Sequence, residues 1–345
     1  MGIWMHKKII TANEAGQRLD KFLNKYLPEA GNGFIYKMLR KKNITLNGKK
    51  ANGSEKILLG DAVQFFISEE TIDKLRSIPD DVQNYHEAFD RLKKMPVLFE
   101  NEHLLAVEKP AGLLCQKAKA DDISLNEWLL GYLLSIDAID GESLKTFRPS
   151  VLNRLDRNTG GIVLCGKTLA CSQEISHLLK EKRLKKIYHL IVKGKITEAG
   201  ELRGHHEKDE GKNKVKIKAE RLDAAGKTPV ITKYRPLQAT SGHSLIEAEL
   251  ITGKSHQIRA HFAAIGHPLI GDYKYGDRRL NDYYKRAYGV ESQLLHAVQV
   301  LFPVMEKPFD DLSELAVISE PPDLFREIMS GLYTGTPQIK REYQE

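Results

Sequence analysis

The chain has 345 residues, 41% hydrophobic and 29% charged. That composition supplies packed cores and excludes global disorder, and at roughly 150 residues per domain the length suggests about two domains. Lys and Arg number 53 against 46 Asp and Glu, a net charge of +7, which suits a polyanionic partner as well as an ordinary basic protein.

The N-terminus, Met1-Gly-Ile-Trp-Met-His-Lys-Lys, has no apolar core of signal-peptide length. His6 stands where myristoylation wants Ser or Thr. From there the first seventy or so residues read as one compact unit. Leu19, Phe22, Leu23, Tyr26 and Leu27 recur at helical spacing until Pro28. A second helix is expected over residues 34–42, with Ile35, Met38 and Leu39 inward and Lys37, Arg40 and Lys41 outward. Two short strands follow. Ile44 and Leu46 precede an Asn47-Gly48 turn, and Val63-Gln-Phe-Phe-Ile forms the other. The outward cations beside Lys49 and Lys50 make either a phosphate-contacting face or an ordinary solvated one.

Residues 69–95 are polar and read as a linker, with a helical stretch over 85–94. Pro96 opens a new texture. Val97-Leu-Phe and Leu104-Leu-Ala-Val form a hairpin closed by Lys109-Pro-Ala-Gly. Residues 128–134 are the most apolar run. They fall well short of the ~18 residues of a membrane span, are cut by Gly131, and are followed by Asp137 and Asp140. Strands are expected at 162–164, 187–192 and 246–250, and helices at 169–179 and 256–265. They do not alternate as βαβ units, so a largely antiparallel α+β sheet is expected. The end after residue 330 is polar and expected to fray. Cys115, Cys165 and Cys171 make neither a disulfide framework nor a structural zinc site. The expectation is a cytoplasmic protein with reduced thiols and no membrane contact.

Three stretches carry candidate chemistry. In Arg154-Leu-Asp-Arg-Asn-Thr-Gly-Gly, Asp156 sits among two arginines and a glycine turn before a buried strand. Nearby cations keep such a carboxylate ionised, and an ionised carboxylate can attack an electrophilic sugar or base carbon; a surface ion pair capping a turn is the plainer alternative. In Lys185-Lys-Ile-Tyr-His-Leu, Tyr188 offers a flat ring for stacking and a hydroxyl, or is a core tyrosine. In Thr252-Gly-Lys-Ser-His-Gln-Ile-Arg, Ser255 reads as a helix N-cap, Gly266 as its stop, and Ile258, Phe262 and Ile265 as the buried stripe. A cation near a helix N-terminus gains nothing from the dipole, so Arg259 calls for a specific anionic partner. His256 and His261, five apart, do not share a helix face, so zinc is not expected. No Walker A loop or dinucleotide fingerprint is present.

With these stretches in order, residues 96–310 resemble the RluA-type RNA pseudouridine synthases, in the manner of RluC and RluD. The likeness runs through Lys109-Pro-Ala-Gly, the Arg154 motif, Lys186-x-Tyr188 and the Thr252 motif. It continues in Gly266-His-Pro-Leu-Ile-Gly-Asp and Leu295-His-Ala. The first unit, with Gly16-Gln-Arg-Leu-Asp-Lys-Phe-Leu and Leu59-Gly-Asp, resembles a small RNA-binding module of ribosomal-protein type. The resemblance implies a module at 1–75, a linker at 76–95, a catalytic domain at 96–325 and a polar tail at 326–345. It implies isomerisation of uridine in RNA, in large-subunit ribosomal RNA or alternatively transfer RNA, by a monomer without metal or cofactor.

Asp156 would be the essential aspartate, attacking the ribose or the base or abstracting a sugar proton; Tyr188 the ring against the target uracil and a proton relay; Arg259 the partner of the aspartate; and Arg154 a support for the extruded nucleotide. Arg157, Thr159 and His256 from the same motifs, with Lys37, Arg40 and Lys41, are expected to contact RNA. Asn153 stands where the family usually has His, and Gly160 where Ser is commoner; the glycine is expected to loosen the turn. The alternatives are a non-catalytic RNA-binding ribosome-assembly factor and a carboxylate glycosidase on free nucleosides. The latter needs a second cooperating acid.

Overall fold

The computed structural model describes residues 5–76, 81–92, 95–141, 143–209, 214–218 and 229–331. In the N-terminal unit, β1 (His6–Ile9) leads into α1 (Leu19–Tyr26) and α2 (Asn32–Arg40). Then come β2 (Ile44–Leu46), β3 (Lys49–Lys50), β4 (Ala62–Phe65) and α3 (Glu69–Leu75). The strands form their own sheet in the order β1-β4-β2-β3. Leu19, Phe22, Leu23, Tyr26 and Leu27 are all buried, and the Tyr26 ring stacks on Phe22 and Phe65. Burying one such ring removes it from water for roughly 1.5–3 kcal/mol. Asn47 and Gly48 both have positive φ, 51° and 73°, the geometry a two-residue hairpin needs.

The polar stretch that follows holds α4 (Asp81–Arg91), which does not hang free. Tyr85 and Ala88 are buried, and Phe89 packs against Trp128 of α5 (Leu125–Ser135). Gly131 permits this approach, because a β-carbon there would lie 2.1 Å from the Tyr85 carbonyl.

The second sheet contains β5 (Val97–Glu100), β6 (Leu104–Lys109), β7 (Ser150–Val151) and β8 (Gly160–Gly166). After α6 (Leu169–Lys180) come β9 (Lys185–Lys193), β10 (Gly200–Asp209), β11 (Lys214–Lys218), β12 (Pro229–Ala239) and β13 (His243–Leu250). Helices α7 (Gln257–Ala264) and α8 (Arg278–Tyr288) precede β14 (Leu295–Leu301), and β15 (Ala316–Ile318) and α9 (Asp323–Ser330) close the described chain. The strand order is β11-β10-β12-β13-β9-β14-β8-β6-β5, with β15 on β14 and β7 on β8. Of the paired strands in this sheet only β14 and β8 run parallel. This is the expected α+β class with a large mixed sheet.

Both sheet faces are covered, so the central strands read as unbroken apolar runs. The two-residue period of β9 sends Tyr188, Leu190 and Val192 into one core, with Trp128, Ile258 and Phe262, while Ile191 joins another core with Tyr284 and Ile328.

Three local expectations are corrected. Ile265 is 40% exposed, because α7 ends at Ala264 and the chain turns away at Gly266. Ser255 does not cap α7. His256 occupies the cap in a left-handed conformation, and the Gln257 side chain accepts the Lys254 amide and Thr252 hydroxyl instead. The segment from residue 326 is not wholly a tail: α9 buries Phe325, Ile328 and Met329, and of this segment residues 332–345 lie outside the described residues. Among the described residues no helix is long and apolar enough to cross a membrane.

Candidate active site

The loop between β7 and β8 carries Asp156, and three side chains fix its backbone. Asn153 accepts from the Leu164 amide at 2.7 Å and donates to the Ile162 carbonyl at 3.2 Å, so it bonds the loop to β8 as a strand would. Cys115 Sγ takes the Leu155 amide at 3.3 Å and donates to the Leu155 carbonyl at 3.5 Å. Lys109, wholly buried, donates to the carbonyls of Pro110, Leu113 and Arg157 at 2.8, 2.8 and 3.1 Å. Burial lowers the Lys109 pKa to about 8, with Cys115 and Asp156 pulling the other way.

Gly160 and Gly161 follow in β8. A β-carbon on Gly160 would lie 2.9 Å from His296 Nδ1, and one on Gly161 (φ 106°) only 2.3 Å from the Ala297 carbonyl. Gly160 therefore does not loosen a turn. It lies in a strand whose parallel partner β14 runs close against it.

Arg259, on the first turn of α7, approaches Asp156 from the other side of the chain. Its Nη1 donates to Asp156 Oδ2 at 3.1 Å. Nε and Nη2 donate to the two carboxylate oxygens of Asp272 at 2.7 and 2.9 Å, and the Tyr275 ring lies under the guanidinium, 5.1 Å away. Burial opposes the charge on Arg259, but Asp272 and then Asp156 outweigh it and raise its pKa. Asp272 also accepts the Lys274 and Tyr275 amides at 2.9 and 3.1 Å, which fixes the carboxylate. The side chain of Asp156 is 24% exposed, against 8% for Arg259 and 1% for Asp272.

Tyr188 stands on the same face. Its partners on the two neighbouring strands are Ala248 and Ala297, so no bulky cross-strand side chain competes for the space beside its ring. Burial, and then the Asp156 charge, push its hydroxyl pKa well above the ordinary phenol value. It is a neutral hydroxyl at physiological pH.

Asp156, Tyr188 and Arg259 line one open cavity of about 1050 Å³, together with Arg154, Arg157 and His256. Lys186, Lys254 and Lys274 add cations to its wall. His256 bonds Tyr275 Oη through Nδ1 at 2.9 Å, and its Nε2 is 3.9 Å from Asp156. Burial lowers the His256 pKa against the pull of Asp156. Arg157, exposed, donates to the Gly112 carbonyl at 3.1 Å and so ties the Lys109 turn to the Asp156 loop. Thr159 is buried, takes a 3.4 Å bond from Gln293, and lines a small adjoining cavity. Lys37, Arg40 and Lys41 are exposed on or just after α2 and do not line the large cavity.

The arrangement offers a fixed, partly exposed carboxylate, a guanidinium neutralising one of its oxygens, a ring beside open space and a basic wall for a polyanion. Tyr275 escapes the sequence reading, and Lys109 and Asp272 enter it as parts of motifs without a role. The requirement that Arg259 have an anionic partner was the available signal, and spacing alone does not say which of two acids meets it.

The chain matches a family model described as RNA pseudouridylate synthase over residues 103–264. It is 31% identical over 303 residues to ribosomal large subunit pseudouridine synthase C of Rickettsia conorii, covering 86% of this chain and 92% of that protein. It is 30% identical over 302 residues to an uncharacterized RNA pseudouridine synthase of Mycoplasma genitalium, covering 87% and 90%. Among solved structures, human RNA pseudouridylate synthase domain containing 4 superposes with a TM-score of 0.52 at 20% identity, over 73% of this chain and 97% of that one, which shows a shared fold.

Proposed function

The chain belongs to the RNA pseudouridine synthase family, isomerases that act on uridines in RNA, and on that premise we propose that it modifies large-subunit ribosomal RNA at an extruded uridine, with Asp156 as the acting carboxylate. The observation that carries the reading is the 3.1 Å contact between Asp156 and Arg259 at the wall of a basic cavity that also contains the Tyr188 ring. The isomerisation breaks the bond between ribose C1′ and uracil N1 and forms one between C1′ and C5. N1 ends with the proton that C5 loses, so no oxidant or reductant is consumed.

A stacked, paired uridine cannot reach a carboxylate at a cavity wall, so the base is flipped out. Asp156 acts on the ribose or the base, and Arg259 holds it in place. Tyr188 packs its ring on the uracil and keeps its proton. Arg154 and Arg157 at the rim, with His256, take the neighbouring phosphates and sugars, and Thr159 supports the loop from behind.

We further propose that residues 1–75 act as a ribosomal-protein-type RNA-binding module through Lys37, Arg40 and Lys41, that 76–95 join it to a catalytic domain at 96–325, and that the protein works as a cytoplasmic monomer. The target preference follows the Rickettsia relative, whose name specifies the large ribosomal subunit. The test is pseudouridine mapping on total RNA from cells that carry, lack or express Asp156→Asn in place of this gene. Loss of the same large-subunit positions in the deletion and the variant, with RNA binding by Asp156→Asn intact, is expected. An unchanged map overturns the reading. Removing residues 1–75 should weaken RNA binding and flatten its salt dependence.

A further inference from the structure

Helix α8 belongs to the catalytic part of the chain but contributes nothing to the carboxylate, the guanidinium or the ring. We propose that its outward face is a second RNA-binding surface, which takes the phosphate backbone and a splayed base beside the extruded uridine. The proposal rests on the reading of the protein as an RNA-modifying enzyme.

The helix is sharply two-sided. Asn281 and Tyr284 face the core, whereas Arg278, Arg279, Tyr283, Lys285 and Arg286 are exposed. At 100° per residue, Arg278, Asp282, Arg286, Arg279 and Tyr283 follow one another around a single outward arc. Asp282 is the one acid on that arc, and its carboxylate accepts the Tyr273 hydroxyl at 3.0 Å. Asp277 is likewise occupied: it caps the helix through the Arg279 and Leu280 amides and pairs with Lys193 at 3.0 Å. None of the four cations pairs with a described acidic side chain within 4 Å. An ordinary solvated helix face mixes both signs and pairs them at i, i+4; this one gathers positive charge.

Its position selects the partner. Tyr273 lines the large cavity at one end of α8, and Glu291 and Ser292 line it just beyond the other. The rings of Tyr273 and Tyr283, 44% and 53% exposed, stand among the arginines. Cations on one helix face with exposed aromatic rings among them suit a nucleic-acid strand, by charge neutralisation and base stacking. An acidic protein surface would use the charges but leave the two rings in water.

The probe is unmodified large-subunit ribosomal RNA transcript, bound by the full chain across a salt series. Arg279→Ala with Arg286→Ala should lower the slope of log affinity against log salt by roughly 1.4 to 1.8, the loss of two phosphate contacts. Tyr283→Ala should weaken binding by roughly tenfold with little change of slope. Arg326→Ala, an exposed cation on α9 paired with Asp323, should change neither. All four side chains lie on the surface, so the variants keep their fold. An unchanged slope in the double variant together with unchanged affinity in Tyr283→Ala overturns the proposal. Pseudouridine is counted in the same samples: wild type that binds the transcript but converts no uridine sinks the enzymatic reading, while the slopes still decide the role of the helix.

Discussion

Asp272 accepts two of the three guanidinium nitrogens of Arg259, at 2.7 and 2.9 Å, and thereby turns the third toward Asp156. The three residues come from a loop, a helix and a second loop. Only the innermost carboxylate is fully buried, so the pair it makes is the anchor and the Asp156 contact is the working end.

Arg259→Lys should lower kcat on the order of 100-fold, because one ammonium cannot serve two carboxylates in fork geometry and Asp156 loses its placement. Asp272→Ala leaves a buried guanidinium with half its partners and should destabilise the fold by about 3–5 kcal/mol. Asp272→Asn is the informative variant. A positioning role predicts a fall in kcat at nearly constant KM, whereas a purely structural role predicts lost stability with the kinetics of the folded fraction unchanged. Denaturation midpoints and steady-state kinetics on one preparation separate the two.

The Tyr188 hydroxyl, raised by burial and by Asp156, stays protonated throughout the working range. Activity should therefore show no alkaline limb from this residue up to about pH 9, where a free phenol begins to ionise, and Tyr188→Phe should share the wild-type profile. Tyr188→Ala removes the ring, should cost about 3–5 kcal/mol through the cavity it leaves, and should abolish turnover. An alkaline limb that disappears in Tyr188→Phe would refute the neutral role.

Acid should destabilise the protein through two buried histidines that do not line the large cavity. Burial lowers His261 and His296 to about 4, with His189 and Lys109 adding to the effect on His296. Both are neutral in the folded state between pH 4 and 6.5, where the unfolded chain binds protons. Stability therefore rises with pH across that window and is lost on acidification, by up to roughly 3 kcal/mol per group. His261→Gln should flatten the dependence of unfolding free energy on pH below about 6.5. An unaltered slope in both His261→Gln and His296→Gln removes this account.

Gly161→Ala should destabilise by at least about 2 kcal/mol, since a side chain at φ 106° would strike the Ala297 carbonyl and part β8 from β14. Gly160→Ser should cost less, because its obstacle is the His296 ring edge at 2.9 Å rather than backbone. Urea denaturation of the two variants gives the ranking, and equal costs would contradict it.

Much of the protein was written in its order of residues. The periodicity of Leu19 to Leu27, the inward set Ile35, Met38 and Leu39, the Asn47-Gly48 turn and the apolar runs of β8 and β9 are local patterns. Side-chain period and turn chemistry determine them without reference to distant parts of the chain. So too is the placement of Asp156, Tyr188 and Arg259 inside distinctive motifs. What the tertiary structure decided is which groups meet. Arg259 needed an anion, and two acids answered from 103 and 13 residues away. The polar stretch before Pro96 looked unpacked because Tyr85 finds its partners, Leu130 and Leu144, some fifty residues further along the chain. Ser255 lost the helix cap to His256, whose left-handed backbone starts α7 one residue later. Ile265 looked buried by spacing and is exposed because the helix ended one residue sooner. In each case the sequence encodes a side chain's preference, while the distance to its partner is set by sheet order and helix docking, which no window along the chain contains.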